Sequence, residues 1–313
     1  MTTSGLATFN LDLNEVVEEA FERAGSELRT GYDLRTARRS LNLLFADWAN
    51  RGVNMWTFEQ GTIPLIQGLN TYALPVDTVD LLDHVIRTQA NLTSNQSDLT
   101  ITRISVSTYA TIPNKLTQAR PIQVWIQRLD GQISPTGATY QSADTSAQTV
   151  TLSSTAGLPT IGYLNIGAET IYYGWIVDST TVGGVFRAQN GTTQITPAVG
   201  TAVYLNNVPR ITVWPTPNQG TVGSPFYQFV YWRMRKIQDA GGGVANPDVP
   251  FRFLPCLAAG LAYHLALKLQ TGPERLPILK QQYDEAWQLA ADEDREKAAV
   301  RFVPRQMFIG SGT

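Results

Sequence analysis

Apolar residues recur every three or four positions near both ends of the chain and alternate with polar ones in between. Leu13, Val16, Val17, Ala20, Phe21 and Ala24 share one face of a helix predicted over 12–25. Asp12 and Glu15 have the spacing of a capping box, and Gly25 is a natural stop. A second helix is predicted over 33–51, with Asp33 as its cap and Ala37, Leu41, Leu44, Phe45 and Trp48 as its apolar stripe. Near the other end, Phe251, Leu254, Leu257, Ala258, Leu261 and Leu265 line one face of a helix over 250–270. Leu276, Leu279, Tyr283, Ala286, Trp287 and Ala290 do the same over 274–298, and Gln270-Thr271-Gly272-Pro273 breaks the chain between the two.

From residue 57 the period drops to two. Short runs bounded by Gly, Pro and Asn predict strands at 57–66, 71–74, 82–88, 99–104 and 122–128, and again at 210–214 and 226–235. The run Gly241-Gly242-Gly243 then reads as a flexible linker into the third helix. Between 131 and 205 the composition changes. Asp144, Glu169, Asp178 and Arg187 are the only charged residues there, while Thr, Ser and Gly dominate. Alternation in Thr149-Val150-Thr151-Leu152 and Glu169-Thr170-Ile171-Tyr172-Tyr173 predicts an inserted all-β module. If 127–128 and 210–211 belong to neighbouring strands, that module hangs from a hairpin tip, where insertions cost little.

The organisation expected is α+β: a helical bundle from the N- and C-terminal helices plus a small antiparallel β domain, together forming a scaffold over 1–130 and 206–298. Residues 131–205 are the inserted β module and 299–313 an extended tail. That tail carries basic and apolar residues without a period, Arg301, Phe302, Val303, Arg305, Met307, Phe308 and Ile309, which suits a segment ordered by a partner.

Charge narrows the function classes. Charged residues make up 16% of the chain, against ~25% in typical soluble domains, so much of the surface is neutral or covered by partners. A net charge of -2 argues against a general nucleic-acid binder. Arg35, Arg38 and Arg39 lie off the stripe of the second helix, open to solvent, to a neighbouring subunit or to passing DNA. The apolar run 254–269 is too short to span a bilayer and holds Pro255, His264 and Lys268. The first residues have neither the basic nor the apolar part of a secretion signal.

Candidate chemistry is sparse. His84 and His264 sit in separate contexts without cysteines or paired carboxylates at metal-ligand spacing, and Cys256, the single cysteine, lies in an apolar stretch. The glycine run at 241 is not followed by Lys-Ser/Thr, so it is not a phosphate loop. Glu15, Glu18, Glu19 and Glu22 form the densest acidic group, spread over the polar side of the first helix. No catalytic, cofactor or metal residues are therefore assigned. Tyr163, Tyr172, Tyr173 and Trp175 offer aromatic faces to a sugar, or serve as the β module's core.

Four phrases in order along the chain carry a resemblance. Asp47-Trp48-Ala49-Asn50-Arg51-Gly52, Tyr72-Ala73-Leu74-Pro75, Val213-Trp214-Pro215-Thr216-Pro217 and Asn246-Pro247-Asp248-Val249-Pro250 resemble the head-to-tail adaptors of short-tailed bacteriophages, also called head-completion or packaged-DNA-stabilisation proteins. The resemblance covers about 10–130 and 208–298. It implies a non-catalytic connector made in the host cytoplasm and carried in the virion neck. It also implies a ring of copies, typically dodecameric, below the portal protein. The ring extends the DNA channel, contacts passing double-stranded DNA without sequence specificity, helps retain the genome, and offers a platform to the downstream tail or nozzle protein. Docking on the portal falls to 299–313, and inter-subunit or channel contacts to Arg35, Arg38 and Arg39. Alternatives are peptidoglycan cleavage, attributed to some adaptors, and host-surface binding through the insert. No membrane partner is implied.

Overall fold

The computed structural model describes residues 9–28, 31–52, 55–93, 95–269 and 274–294. It contains five α-helices among those residues: α1 (Leu13–Ala24), α2 (Gly31–Arg51), α3 (Val106–Ala110), α4 (Leu254–Leu269) and α5 (Arg275–Glu293). The expected helical bundle with a small β domain is overturned: three β-sheets, one of eight strands, dominate the chain. The reason lies in signal strength. A helical stripe sustained over 12 to 21 residues is conspicuous, whereas strands of two to twelve residues form sheets only through long-range pairings that periodicity does not reveal.

Two compact units divide the chain, Met1–Thr57 with Ile237–Thr313, and Phe58–Lys236. In the first, α4 is buried almost all round, because it packs against α1, α2 and α5. The expected capping box forms: Asp12 Oδ1 accepts from the Glu15 amide at 2.9 Å, and Glu15 Oε2 from the Asp12 amide at 3.0 Å. The next two orphan amides of α1, those of Leu13 and Asn14, donate to the carbonyls of Ala245 and Gly243 at 3.1 and 3.0 Å. The glycine run is thus pinned rather than free. A Cβ at Gly243 would lie 2.2 Å from Asn14 Oδ1, so a larger residue there would have to push the Asn14 side chain aside. Helix α2 starts two residues before the expected cap, which puts Asp33 in its first turn, where a carboxylate favours the positive helix end. Phe251 does not join the buried face. It belongs to a tight turn, Phe251–Phe253, preceding α4, and that turn directs Phe253 inward while leaving Phe251 77% exposed.

The second unit holds β1 (Phe58–Pro64), β2 (Thr71–Ala73), β3 (Thr78–Thr88), β4 (Ser97–Thr100), β5 (Thr102–Arg103), β6 (Gln123–Gln127), β7 (Ile133–Asp144), β8 (Thr149–Leu152), β9 (Gly162–Ile166), β10 (Glu169–Tyr173), β11 (Trp175–Ile176), β12 (Thr181–Gly183), β13 (Phe186–Gln189), β14 (Ala202–Asn206), β15 (Arg210–Trp214) and β16 (Tyr227–Arg235). The sheet orders are β1-β16-β3-β4, β2-β15-β6-β5 and β11-β12-β8-β7-β14-β9-β10-β13. Strands β6 and β15 are antiparallel neighbours with Arg210 opposite Gln127, so the chain leaves for the large sheet and returns on adjacent strands. Long β7 joins both halves of that sheet, pairing with β14 up to Thr139 and with β8 from Tyr140. It passes Gly137 at φ +76°, a conformation that favours glycine. The large sheet has a core of its own around Val150, Leu152, Leu164, Ile171 and Val182. Tyr163 and Tyr172, however, are buried with Val124, Ile211 and Phe229 of the smaller sheets, and the Tyr163 hydroxyl donates to the Thr71 carbonyl at 3.0 Å.

Candidate interaction surfaces

The phrases that carry the resemblance occupy structural positions. Trp48 is fully buried, donates through Nε1 to the Tyr283 hydroxyl at 3.0 Å, and meets the rings of Phe253 and Trp287. Arg51 lies 4.7 Å over the Trp287 ring and pairs with Asp47 at 2.8 Å. Asp248 ties its loop in two ways, taking the Gln238 amide on Oδ2 and the Trp56 indole N–H on its carbonyl, both at 3.0 Å. Tyr72 donates to the Leu69 carbonyl at 2.7 Å, and Trp214 Nε1 to the Asn114 carbonyl at 3.0 Å.

Of the arginines expected to face a neighbour or the channel, the structure separates one from the others. Arg38 is half-buried and donates to the Gly241 carbonyl, holding the glycine loop. Arg35 and Arg39 are exposed. The tail residues Arg301, Phe302, Val303, Arg305, Met307, Phe308 and Ile309 lie outside the described residues.

In the large sheet the aromatic platform is mostly unavailable, since Tyr163, Tyr172 and Tyr173 are buried and only Trp175 is exposed. Sequence reasoning missed the reason the four lone charges are there. Glu169 is 1% exposed, and its carboxylate accepts from Arg187 Nε and Nη2 at 2.7 and 2.5 Å and from the amides of Ala188 and Ile195 at 2.9 and 3.1 Å. Burial alone would raise its pKa, but the Arg187 guanidinium and the two amides prevail and hold it below the ordinary value. Asp144 and Asp178 each fold a turn, accepting from Ser146 and Ala147 and from Thr180 and Thr181. Their scarcity was the available signal: in so neutral a segment each charge has a structural partner.

Cys256 and His84 are enclosed, whereas His264 is half-buried. Burial pushes the Cys256 thiol up to about 12, away from a thiolate at neutral pH. His84 is buried, stacked 5.9 Å from Phe229, and neither ring nitrogen has a hydrogen-bond partner. Burial lowers its pKa, Asp83 opposes this and Arg103 adds to it. No group of three His, Cys, Asp or Glu suited to a metal ion occurs among the described residues. No helix among them is long and apolar enough to cross a membrane.

Surfaces stand out instead. A groove of about 620 Å³ runs between α1 and the start of α4, with Phe9, Phe251, Leu254 and Pro255 as its apolar wall; Glu15, Glu18 and Glu22 and the ion pair of Glu19 with Arg23 form its rim, acidic on balance. Leu289 of α5 lines an adjoining hollow with Pro255. Comparison with known proteins finds no matching family model and no matching curated protein.

Proposed function

We propose that this chain is a structural, non-catalytic ring subunit of a phage neck, an adaptor placed below the portal. The observation that carries this reading is the exposed apolar surface of its helical unit: Tyr32, Leu43, Phe251 and Leu289 are all large, apolar and open to solvent. These residues lie on two separate faces of the unit, and exposed apolar surface rimmed by polar residues marks interaction sites. The four phrases that resemble those of adaptors support the reading, since here they form a helix junction and strand ends. In the ring the chain extends the DNA channel, helps retain packaged DNA and presents a platform to the tail. A near-neutral charge suits a channel wall, since clustered cations would retard the genome. Residues 299–313 dock on the portal, and assembly is by copies of this one chain, typically twelve.

The test is assembly on isolated portals, imaged by electron microscopy, with the full chain and with a chain lacking 299–313. The full chain is expected to add a ring of density and the shortened one to bind poorly. A full chain that adds no ring, and that is absent from virion necks, refutes the reading.

A further inference from the structure

Two exposed faces of the helical unit carry opposite charge. On α2, Tyr32, Arg35, Arg39 and Leu43 follow one another at spacings of three and four, which places them on one side of the helix. Tyr32 is 71% and Leu43 60% exposed, and neither arginine has an ion-pair partner among the described residues. The groove beside α1 is its counterpart. Phe9 is 76% exposed at its edge. Glu15 accepts the Asp12 amide in the helix cap and Glu19 neutralises Arg23, the one cation in the lining, at 2.6 Å, while Glu18 and Glu22 have no ion-pair partner among the described residues. Acidic and apolar on one side, basic and apolar on the other, the two faces have matching chemistry.

Helix α4 separates them. Its α2 side is marked by Gly260, whose added Cβ would lie 3.1 Å from Leu44, and by Lys268, whose Nζ donates to Ser40 Oγ at 2.8 Å. Its groove side is marked by Pro255 and Ala258. At 3.6 residues per turn these two sets lie roughly half a turn apart around the helix. The faces therefore point in opposite directions and cannot meet within one copy. Nor can either pair with itself, because acid would meet acid and base would meet base. What remains is a head-to-tail contact, the kind that generates rings.

Resting on the ring reading above, we propose that the α2 stripe of one copy seats in the acidic groove of the next copy. Arg35 and Arg39 meet Glu18 and Glu22, while Tyr32 and Leu43 cover the apolar wall at Phe9 and Phe251. The occupant is a second copy rather than the chain's own basic tail, because the α2 stripe presents its charges and apolar groups already fixed on a helix, at the spacing of the acidic row.

The experiment is a charge exchange read by sedimentation velocity on the full chain up to its solubility limit. One variant carries Glu18→Arg with Glu22→Arg, the other Arg35→Glu with Arg39→Glu. Each alone opposes like charges and is expected to self-associate about tenfold or more weakly than wild type. An equimolar mixture restores opposite charges at every contact of an alternating ring and is expected to regain assembly. Leu43→Arg, which leaves the four charges in place, is expected to lose assembly as well. Thermal melts equal to wild type show that the variants are folded. Variants that assemble like wild type, a mixture that does not recover, or a wild type that stays monomeric all overturn the interface. So does a chain lacking 295–313 that loses self-association, since the tail would then be the occupant. Rings that still form on portals with the reversed variants would overturn this contact and leave the ring reading standing, whereas wild type failing on portals counts against that reading itself.

Discussion

Replacing Glu169 by glutamine tests whether a single buried carboxylate holds one edge of the large sheet. Each of its oxygens accepts two bonds: Oε1 from Arg187 Nε and the Ala188 amide, Oε2 from Arg187 Nη2 and the Ile195 amide. A glutamine has only one acceptor oxygen, so its NH2 must face one of these pairs of donors whichever way the amide turns. Two donors are left unpaired in a site that is 1% exposed. Unpaired buried donors cost ~1–3 kcal/mol each, and breaking a buried ion pair costs ~3–5 kcal/mol. A local loss of about 3–5 kcal/mol corresponds to exchange of the Ile195 amide faster by roughly two to three and a half orders of magnitude. Amide exchange followed by mass spectrometry or NMR measures it, and combining Glu169→Gln with Arg187→Met should recover part of the loss by removing the stranded guanidinium. Because the folded pKa of Glu169 lies below its ordinary value, its contribution is complete above about pH 4.5 and is lost as pH falls through the folded value. Exchange at Ile195 unchanged within about threefold, against the predicted hundredfold or more, would sink the reasoning.

Gly260→Ala would normally add ~1 kcal/mol of helix propensity, but here the new Cβ lies 2.8 Å from Tyr283 Cε2 and 3.1 Å from Leu44 Cδ2. Tyr283 is tethered to Trp48, so overpacking is expected to win by about 1–3 kcal/mol, seen as a lower melting temperature in tryptophan fluorescence. Tyr283→Phe leaves the buried Trp48 N–H without its acceptor and should cost about 1–3 kcal/mol in the same assay. His84→Phe removes two unpartnered buried nitrogens and is expected to stabilise its unit by about 1–2 kcal/mol near neutral pH. The histidine is neutral in both states above its ordinary value of about 6.5. With a folded value below that, stability falls as pH drops between the two, and the phenylalanine variant should lack this slope in melts from about pH 8 to pH 5.

Several elements of this molecule are determined locally. The stripe from Leu13 to Ala24, the reciprocal cap of Asp12 and Glu15 and the stop at Gly25 act within one helix, where neighbours in sequence are neighbours in space. The inward set Leu279, Tyr283 and Ala290 of α5 follows from the same period. Register, sheet membership and the balance of helix against sheet are different in kind. Nothing near β7 tells it to pair with β14 along one half and β8 along the other, and nothing near Tyr163 announces that its ring enters the core of another sheet. Removing 131–205 would therefore strip side chains from that core as well as deleting a sheet.

The surfaces divide the same way. Sequence alone placed Arg35, Arg38 and Arg39 off the apolar stripe, but could not know that Arg38 would be taken by the Gly241 carbonyl while the other two stayed exposed. It grouped Glu15, Glu18, Glu19 and Glu22, but not with Phe9, Phe251 and Pro255 as one groove. Period and capping act over a turn of helix, so they are written in consecutive residues. Pairings and surfaces depend on which distant segments meet, so only the tertiary structure decides them.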